Sequence, residues 1–277
     1  MKLRIVHQTA YRYAHAPRRS VQTLRMMPQD SEHQRILAWT VETPVAAQVQ
    51  QDAWGNTVHL VSHERPARRL VCVARGEVET LGCPMAPDGA GPPPVWYAAD
   101  STLAAPSADL RAWTALVLPL TAGMPLQPRQ ALALADAVAD TVCYTPGATD
   151  AHTSAARAFE LGRGVCQDQA HVFIAACRSL GLPARYVSGY FHAQAVAYGP
   201  AHAALASHAW AEVCVDLPRR HWLAVDVTHR CLIDQRHVRV AVGPDYAACA
   251  PVRGVVSGGS GEQLTVDVQI SVINGTG

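Results

Sequence analysis

The sequence holds a single lysine, Lys2, so nearly all of its positive charge is arginine. Its 23 basic residues meet 22 acidic ones, for a net charge of +1. That balance leaves no electrostatic footprint for nucleic acid or for an anionic membrane. No run approaches the ~18–20 apolar residues that a membrane-spanning helix needs. Met1 to Tyr13 alternates polar and apolar residues and has no continuous apolar segment of the secretory kind. The expected compartment is therefore the cytoplasm, where the eight cysteines stay as thiols. None of them forms a C-x-x-C pair, so a structural zinc site of the usual spacing has no support. The 13 histidines include no H-E-x-x-H, and no internal repeat is visible. What the 277 residues do have is apolar mass: 49% are hydrophobic and only 16% charged. This excludes a disordered chain and predicts one large domain or two modest ones.

The chain divides into strands, then helices, then strands. Leu3, Ile5 and His7 alternate with polar neighbours, as do Leu37, Trp39 and Val41. Further strands are expected at 57–61 and 69–79, with a turn at Asp52-Ala53-Trp54-Gly55-Asn56. Short strands separated by turn signals predict an all-β, sandwich-like module over 1–95. A Pro/Gly-rich segment, Gly82 to Pro94, reads as a loop or linker. Helical spacing begins near 107 with Leu110, Trp113, Leu116 and Val117. Pro128 suits the first turn of a second helix, Asp150 is the expected cap of a third, and a fourth runs from Cys166 to Leu180. Strands return at 185–191, 209–217, 222–227 and 239–242. The last, Leu264 to Val272, alternates most clearly and is expected to dock on the N-terminal module or its junction with the core. Gly254 to Gly261 reads as an exposed loop. The expected units are 1–95, 96–250 and a C-terminal loop and strand at 251–277.

Chemistry concentrates at the start of the fourth helix. In Gly162-Arg163-Gly164-Val165-Cys166-Gln167-Asp168 a cysteine follows two glycines at a helix N-terminus. Unpaired N–H groups and the positive end of the helix dipole favour a thiolate there and could hold an oxyanion. The glycines would let a substrate backbone approach. An isolated cysteine in such a place is more often a small buried apolar residue. The other seven cysteines have no glycine-flanked helix start, and Cys177 falls on the apolar stripe of the same helix.

A nucleophilic cysteine needs a base and the base needs an orienting partner. His171 points about 140° away from Cys166 on the helix, so it is a poor base and a better local partner for Asp168. His208 opens a strand whose odd positions Ala209, Ala211, Val213 and Val215 are apolar, which puts His208 on the opposite face with Trp210 and Glu212. Asp226 lies on the corresponding face of the next strand. A hairpin centred on Pro218 pairs His208 with Thr228 and Trp210 with Asp226. His208 and Asp226 are then diagonal neighbours, ~7–8 Å apart at Cα.

These blocks resemble a known family. Gly164-Val165-Cys166-Gln167-Asp168, Leu182-Pro183-Ala184-Arg185-Tyr186-Val187-Ser188-Gly189-Tyr190, His208-Ala209-Trp210-Ala211-Glu212-Val213 and Trp222-Leu223-Ala224-Val225-Asp226-Val227-Thr228 are similar to the core of bacterial transglutaminase-like proteins. Val227 stands where the family usually has proline, and Gln169 where it often has an aromatic residue. Leu24-Arg25-Met26-Met27-Pro28, Trp54-Gly55-Asn56, His237 to Gly243 and Pro251 to Gly254 resemble other parts of the same bacterial proteins, including their N-terminal β module.

The resemblance implies an α+β, papain-like core, with helices packed on an antiparallel sheet, and a catalytic triad of Cys166, His208 and Asp226. It implies thiol-dependent amide chemistry on a peptide or protein substrate, with hydrolysis through an acyl-enzyme first. Transfer of the acyl group to an amine and a catalytically silent binding module are the alternatives, because fold alone does not fix the reaction. Tyr144, beside a turn before the helix, is the candidate second oxyanion donor. Gln167 and Trp210 are further oxyanion or substrate candidates. No organic cofactor or metal is expected, and the absence of a D-x-D-x-D-G loop gives calcium no support. Papain-type proteases and arylamine N-acetyltransferases place the cysteine much nearer the N-terminus than Cys166.

Overall fold

A computed structural model describes residues 1–120, 125–193 and 207–273. Its N-terminal part pairs two antiparallel sheets. One holds β1 (Lys2–His15), β3 (Gln34–Glu42), β6 (Arg69–Thr80) and β16 (Ser260–Val272), in the order β16-β1-β6-β3. The other holds β2 (Arg19–Met27), β4 (Gln48–Gln51), β5 (Thr57–His63) and β15 (Val252–Ser257), in the order β15-β2-β5-β4. Alternation decides which face is buried: Leu3, Ile5, His7 and Thr9 point inward while Lys2 and Arg4 are exposed. Leu24, Met26 and Val61 of one sheet pack on Cys72 and Ala74 of the other. Trp39 donates its indole N–H to the Met26 carbonyl at 2.9 Å, joining the two sheets.

Strands β15 and β16 form one hairpin that serves both sheets. Residues 254–261, expected as a loop, are the end of β15, a turn and the start of β16. Gly258 and Gly259, at φ +72° and +81°, make the turn, which only glycine adopts freely. Nearly every residue of β15 is exposed, so no inward-outward alternation marked it as a strand. Strand β16 pairs with β1 along most of its length, from Leu3 opposite Val272 to His15 opposite Ser260.

The rest of the chain forms a second, α+β layered unit, the core. Its sheet contains β10 (Ala184–Phe191), β11 (Ser207–Asp216), β12 (His221–Asp226), β13 (Cys231–Leu232) and β14 (His237–Gly243), in the order β13-β12-β11-β10-β14. β11 and β12 pair Ala211 with Val225 and Glu212 with Ala224, the register of a hairpin centred on Pro218. Helices α1 (Ala108–Val117), α2 (Pro128–Thr141), α3 (Ala155–Leu161) and α4 (Cys166–Ser179), with a final turn α5 (Tyr246–Cys249), cover it. Ser107 and Ser154 cap α1 and α3. Asp150, the expected cap of α3, instead accepts from the His152 N–H within the preceding turn. Leu116, expected on the apolar stripe of α1, is 83% exposed.

Helix α4 is central, with every residue from Asp168 to Arg178 buried. Such all-round burial makes it the axis on which the fold is built. It packs against Ala209, Ala211, Val213, Leu223 and Val225 on one side and against α1, α2 and α3 on the other. At its far end the Arg178 guanidinium donates to the carbonyls of Tyr97, Ala104, Ala184 and Pro244. The Pro/Gly-rich segment is anchored rather than slack. Its short strand β7 (Met85–Pro87) pairs with β12, and Asp88 accepts from Arg185 at 2.6 Å and Arg239 at 3.1 Å. Among the described residues no helix is long and apolar enough to cross a membrane.

Candidate active site

The chain enters α4 through a tightly specified path. Gly162 ends α3 in the left-handed region at φ +64°. Arg163–Gly164 then form β9, which pairs in parallel with β8 (Cys143–Tyr144) and sets Tyr144 beside Gly164. The Asp168 carboxylate folds back to accept from the Val165 N–H at 2.8 Å and the Thr149 hydroxyl at 2.6 Å. It thereby satisfies one orphan donor of the helix N-terminus. A Cβ on Gly164 would stand 2.6 Å from that same carboxylate. The two glycines therefore serve the chain: one reverses it, and the other leaves room for the cap. Burial raises the Asp168 pKa. His171, proposed as its local partner, is buried elsewhere and accepts from the Tyr246 N–H at 3.1 Å.

Cys166 is the first residue of α4 and is partly buried. It opens onto a cleft of about 260 Å³ that His208 and Gln167 also line. His208 Nε2 lies 2.8 Å from Asp226 Oδ2, with both side chains fully buried. Nδ1 makes no conventional hydrogen bond, and Cys166 is near enough for its thiol and its charge to act on the ring. With Nε2 held by the carboxylate, Nδ1 is the nitrogen left to exchange a proton with sulfur. Burial alone would lower the His208 pKa, but the Asp226 charge, its hydrogen bond and Cys166 together push it up to about 10.

Asp226 is surrounded in a way the sequence did not announce. Its Oδ2 meets three imidazoles: His208 Nε2 at 2.8 Å, His229 Nδ1 at 2.6 Å and His237 Nε2 at 2.9 Å. The His229 backbone N–H reaches Oδ1 at 3.1 Å. His237 Nδ1 lies 3.1 Å from the Asp234 backbone nitrogen and 3.3 Å from its Oδ1, so Asp234 holds the ring from the side away from Asp226. Burial favours the neutral acid, but the His208 charge and the three imidazole hydrogen bonds hold the Asp226 pKa well below the usual carboxylate range. Phe191 stacks on His229 at 4.1 Å and tilts against His237 at 4.8 Å, fixing both rings. Neither His229 nor His237 was singled out by spacing. His237 comes from β14, which is separated from β12 by two strands, so only the sheet order brings it to Asp226.

The donor atoms of His208, Asp226 and His229 lie within 4.8 Å of one another, as do those of Asp226, Cys231 and His237. That spacing would suit a metal ion. The hydrogen bonds from three rings to one carboxylate oxygen already gather His208, His229 and His237 about Asp226.

The remaining candidates separate. Gln167 lines the cleft, and its Nε2 is buried with no hydrogen-bond partner. Tyr144 is half-buried, and burial followed by the Cys166 charge pushes its pKa up to about 12. Trp210 is not at the cleft surface. It is wholly buried with Val187, Ala224, Ile233 and Val242, beneath the histidines and 5.4 Å from the His237 ring. Its strand position was read correctly, but side chains of β10, β12 and β14 on the same face enclose it. Gln169 is buried and bridges elements: it accepts from the Thr228 hydroxyl at 2.7 Å and donates to the Val142 carbonyl at 2.8 Å. It thus ties the turn after Asp226 to the helix bearing Cys166. Burial pushes the Cys72 thiol up to about 11 and Cys231 to about 12, and Cys177 rises further.

Comparison with known proteins bears on the fold that carries this site. Residues 114–227 match the transglutaminase-like superfamily, and residues 3–79 match the bacterial transglutaminase-like N-terminal region. An uncharacterised protein of Mycobacterium leprae is 29% identical over 299 residues, covering 98% of each chain. An uncharacterised protein of Mycobacterium tuberculosis is 29% identical over 300 residues, covering 98% of this chain and 92% of the relative. A solved Cytophaga hutchinsonii structure described as a "Putative Cysteine Protease" superposes with a TM-score of 0.75 at 21% identity, covering 99% of this chain and 91% of that one. At that identity the likeness concerns the fold.

Proposed function

Residues 114–227 belong to the transglutaminase-like superfamily and residues 3–79 to its bacterial N-terminal region, and from that premise we propose that this protein cleaves amide bonds through a Cys166 thioester. The observation that carries the reading is one imidazole in two contacts. His208 holds Asp226 at 2.8 Å through Nε2 and feels Cys166 at a helix N-terminus in an open cleft. The Cys166 thiolate attacks the carbonyl carbon of a peptide or isopeptide amide, and the C–N bond breaks as His208 gives its proton to the leaving amine. Water then attacks the thioester, His208 takes its proton, and the acid leaves as the thiolate re-forms. Asp226 keeps Nε2–H in place and stabilises the imidazolium. The developing oxyanion is met by the Cys166 N–H and by the Gln167 amide, whose buried Nε2 has no other partner. Tyr144 is the alternative second donor. Water is the simplest acceptor for the thioester, so hydrolysis is the first reading and transfer to an amine the second.

The test is iodoacetamide labelling of each cysteine against pH with peptide mapping, for the wild type beside His208→Ala. The expected result is labelling of Cys166 below pH 7, ahead of the other seven, with that advantage lost in the variant. A Cys166 as inert as the buried Cys177 sinks the reading. Incorporation of an amine into a glutamine peptide, in place of hydrolysis, replaces hydrolase by transferase.

A further inference from the structure

The inner face of β1 and β16 is covered along only part of its length. Leu3 and Ile5 of β1, with Val268 and Ile270 of β16, pack on Tyr190, Val238 and Val240 of the core. The same alternation continues along both strands: Thr9 faces Val266 and Tyr11 faces Leu264. There the core covers β1 but leaves β16 open: Thr9 is buried, whereas Leu264 is 54% and Val266 50% exposed on the face that partly buries Val268 and Ile270. Leu264 and Val266 both border the cleft that holds Cys166. An apolar wall left bare beside a thiol is the form a side-chain pocket takes.

The charge pattern narrows the occupant. None of the described lining residues is Asp, Glu, Lys or Arg. His7 lies on the same face as Thr9, with Nδ1 2.9 Å from the Tyr190 hydroxyl, and burial lowers its pKa to about 4. Apart from the Cys166–His208 pair itself, the described residues of the cleft therefore carry no charge near pH 7. A charged side chain set against Leu264 and Val266 would lose water and find no partner on that wall.

We propose that this wall is the acyl-side specificity pocket, taking an uncharged apolar side chain of a peptide beside the amide that Cys166 attacks. It rests on the thioester reading above and adds that the two ends of the chain, not the core, choose the substrate.

Two peptidyl chloromethyl ketones, alike except for leucine or aspartate beside the reactive carbon, provide the test. The leucine reagent should alkylate Cys166 at least about tenfold faster, the discrimination one apolar side chain affords. L264N combined with V266N should remove that preference while Cys166 still reacts with iodoacetamide. Both residues are half exposed, so the variant keeps its core, and L264K should raise the aspartate rate instead. Equal rates for the two reagents in the wild type, or selectivity unmoved by either variant, overturn the pocket. Cys166→Ala protein titrated with blocked leucine and aspartate peptide amides separates the two ideas. A preference for leucine retained there supports the wall even if the thiol proves inert, and no preference refutes it.

Discussion

Replacing Asp226 by asparagine tests the electrostatics of the site quantitatively. The Asp226 charge and hydrogen bond, with a contribution from Cys166, raise His208 from 6.5 to about 10 against burial that acts the other way. Breaking a buried pair by removing one partner typically costs about 3–5 kcal/mol. The pH dependence follows from the signs. His208 is raised, so its contribution is complete below its unfolded value near 6.5 and is lost as pH climbs through about 10. Asp226 is depressed, so its contribution is complete above 3.8 and is lost as pH falls through its lower folded value. Urea unfolding of wild type and Asp226→Asn should therefore differ most between about pH 4 and 6.5, by roughly 3–5 kcal/mol. From pH 6.5 to 10 the gap should shrink as His208 loses its proton, toward the roughly 1 kcal/mol of the neutral hydrogen bonds. A gap that stays level across that range would refute the charged pair. The variant should also lose roughly 10³–10⁴ in kcat, because Nε2–H is no longer held by an anion.

Further outcomes follow from neighbouring groups. Gln167→Ala should lower kcat roughly 10²-fold with KM nearly unchanged if Nε2 meets the oxyanion, and Tyr144→Phe should then have little effect; the reverse pattern in steady-state kinetics assigns the donor to Tyr144. Gly164→Ala forces a methyl to 2.6 Å from the Asp168 carboxylate and should cost roughly 1–3 kcal/mol. A melting temperature within a degree of wild type would show that the Asp168 cap has room to spare.

How much of this was legible depends on where each signal lies. The cysteine at a helix start and the parity of His208 and Asp226 are local patterns, and β11 and β12 take the register their turn implies. Gln167 was visible as the neighbour of Cys166. The imidazoles of His229 and His237 were not, because Asp226 meets one through a turn and the other through strand order. Gly162 and Gly164 looked like room for substrate, yet φ and the folded-back Asp168 claim them. The β15 strand escaped notice because glycine and serine dominate its turn and its side chains stay wet. The cleft wall escaped for a larger reason: Tyr11 and Leu264 are neighbours only after the chain ends meet.

The C-terminal hairpin supplies an outer strand to both sheets of the sandwich, β16 beside β1 and β15 beside β2. During synthesis Cys166, His208 and Asp226 all emerge before it. Until residues 252–273 arrive, β1 and β2 present bare edges, which are templates for unwanted pairing. Pairing across nearly the whole sequence also makes this closure slow. A chain cut short at Val252 would keep Cys166, His208 and Asp226 but lack Leu264 and Val266 on the cleft, and would expose two bare strand edges. Closure of the sandwich and of the cleft wall is thus one folding event.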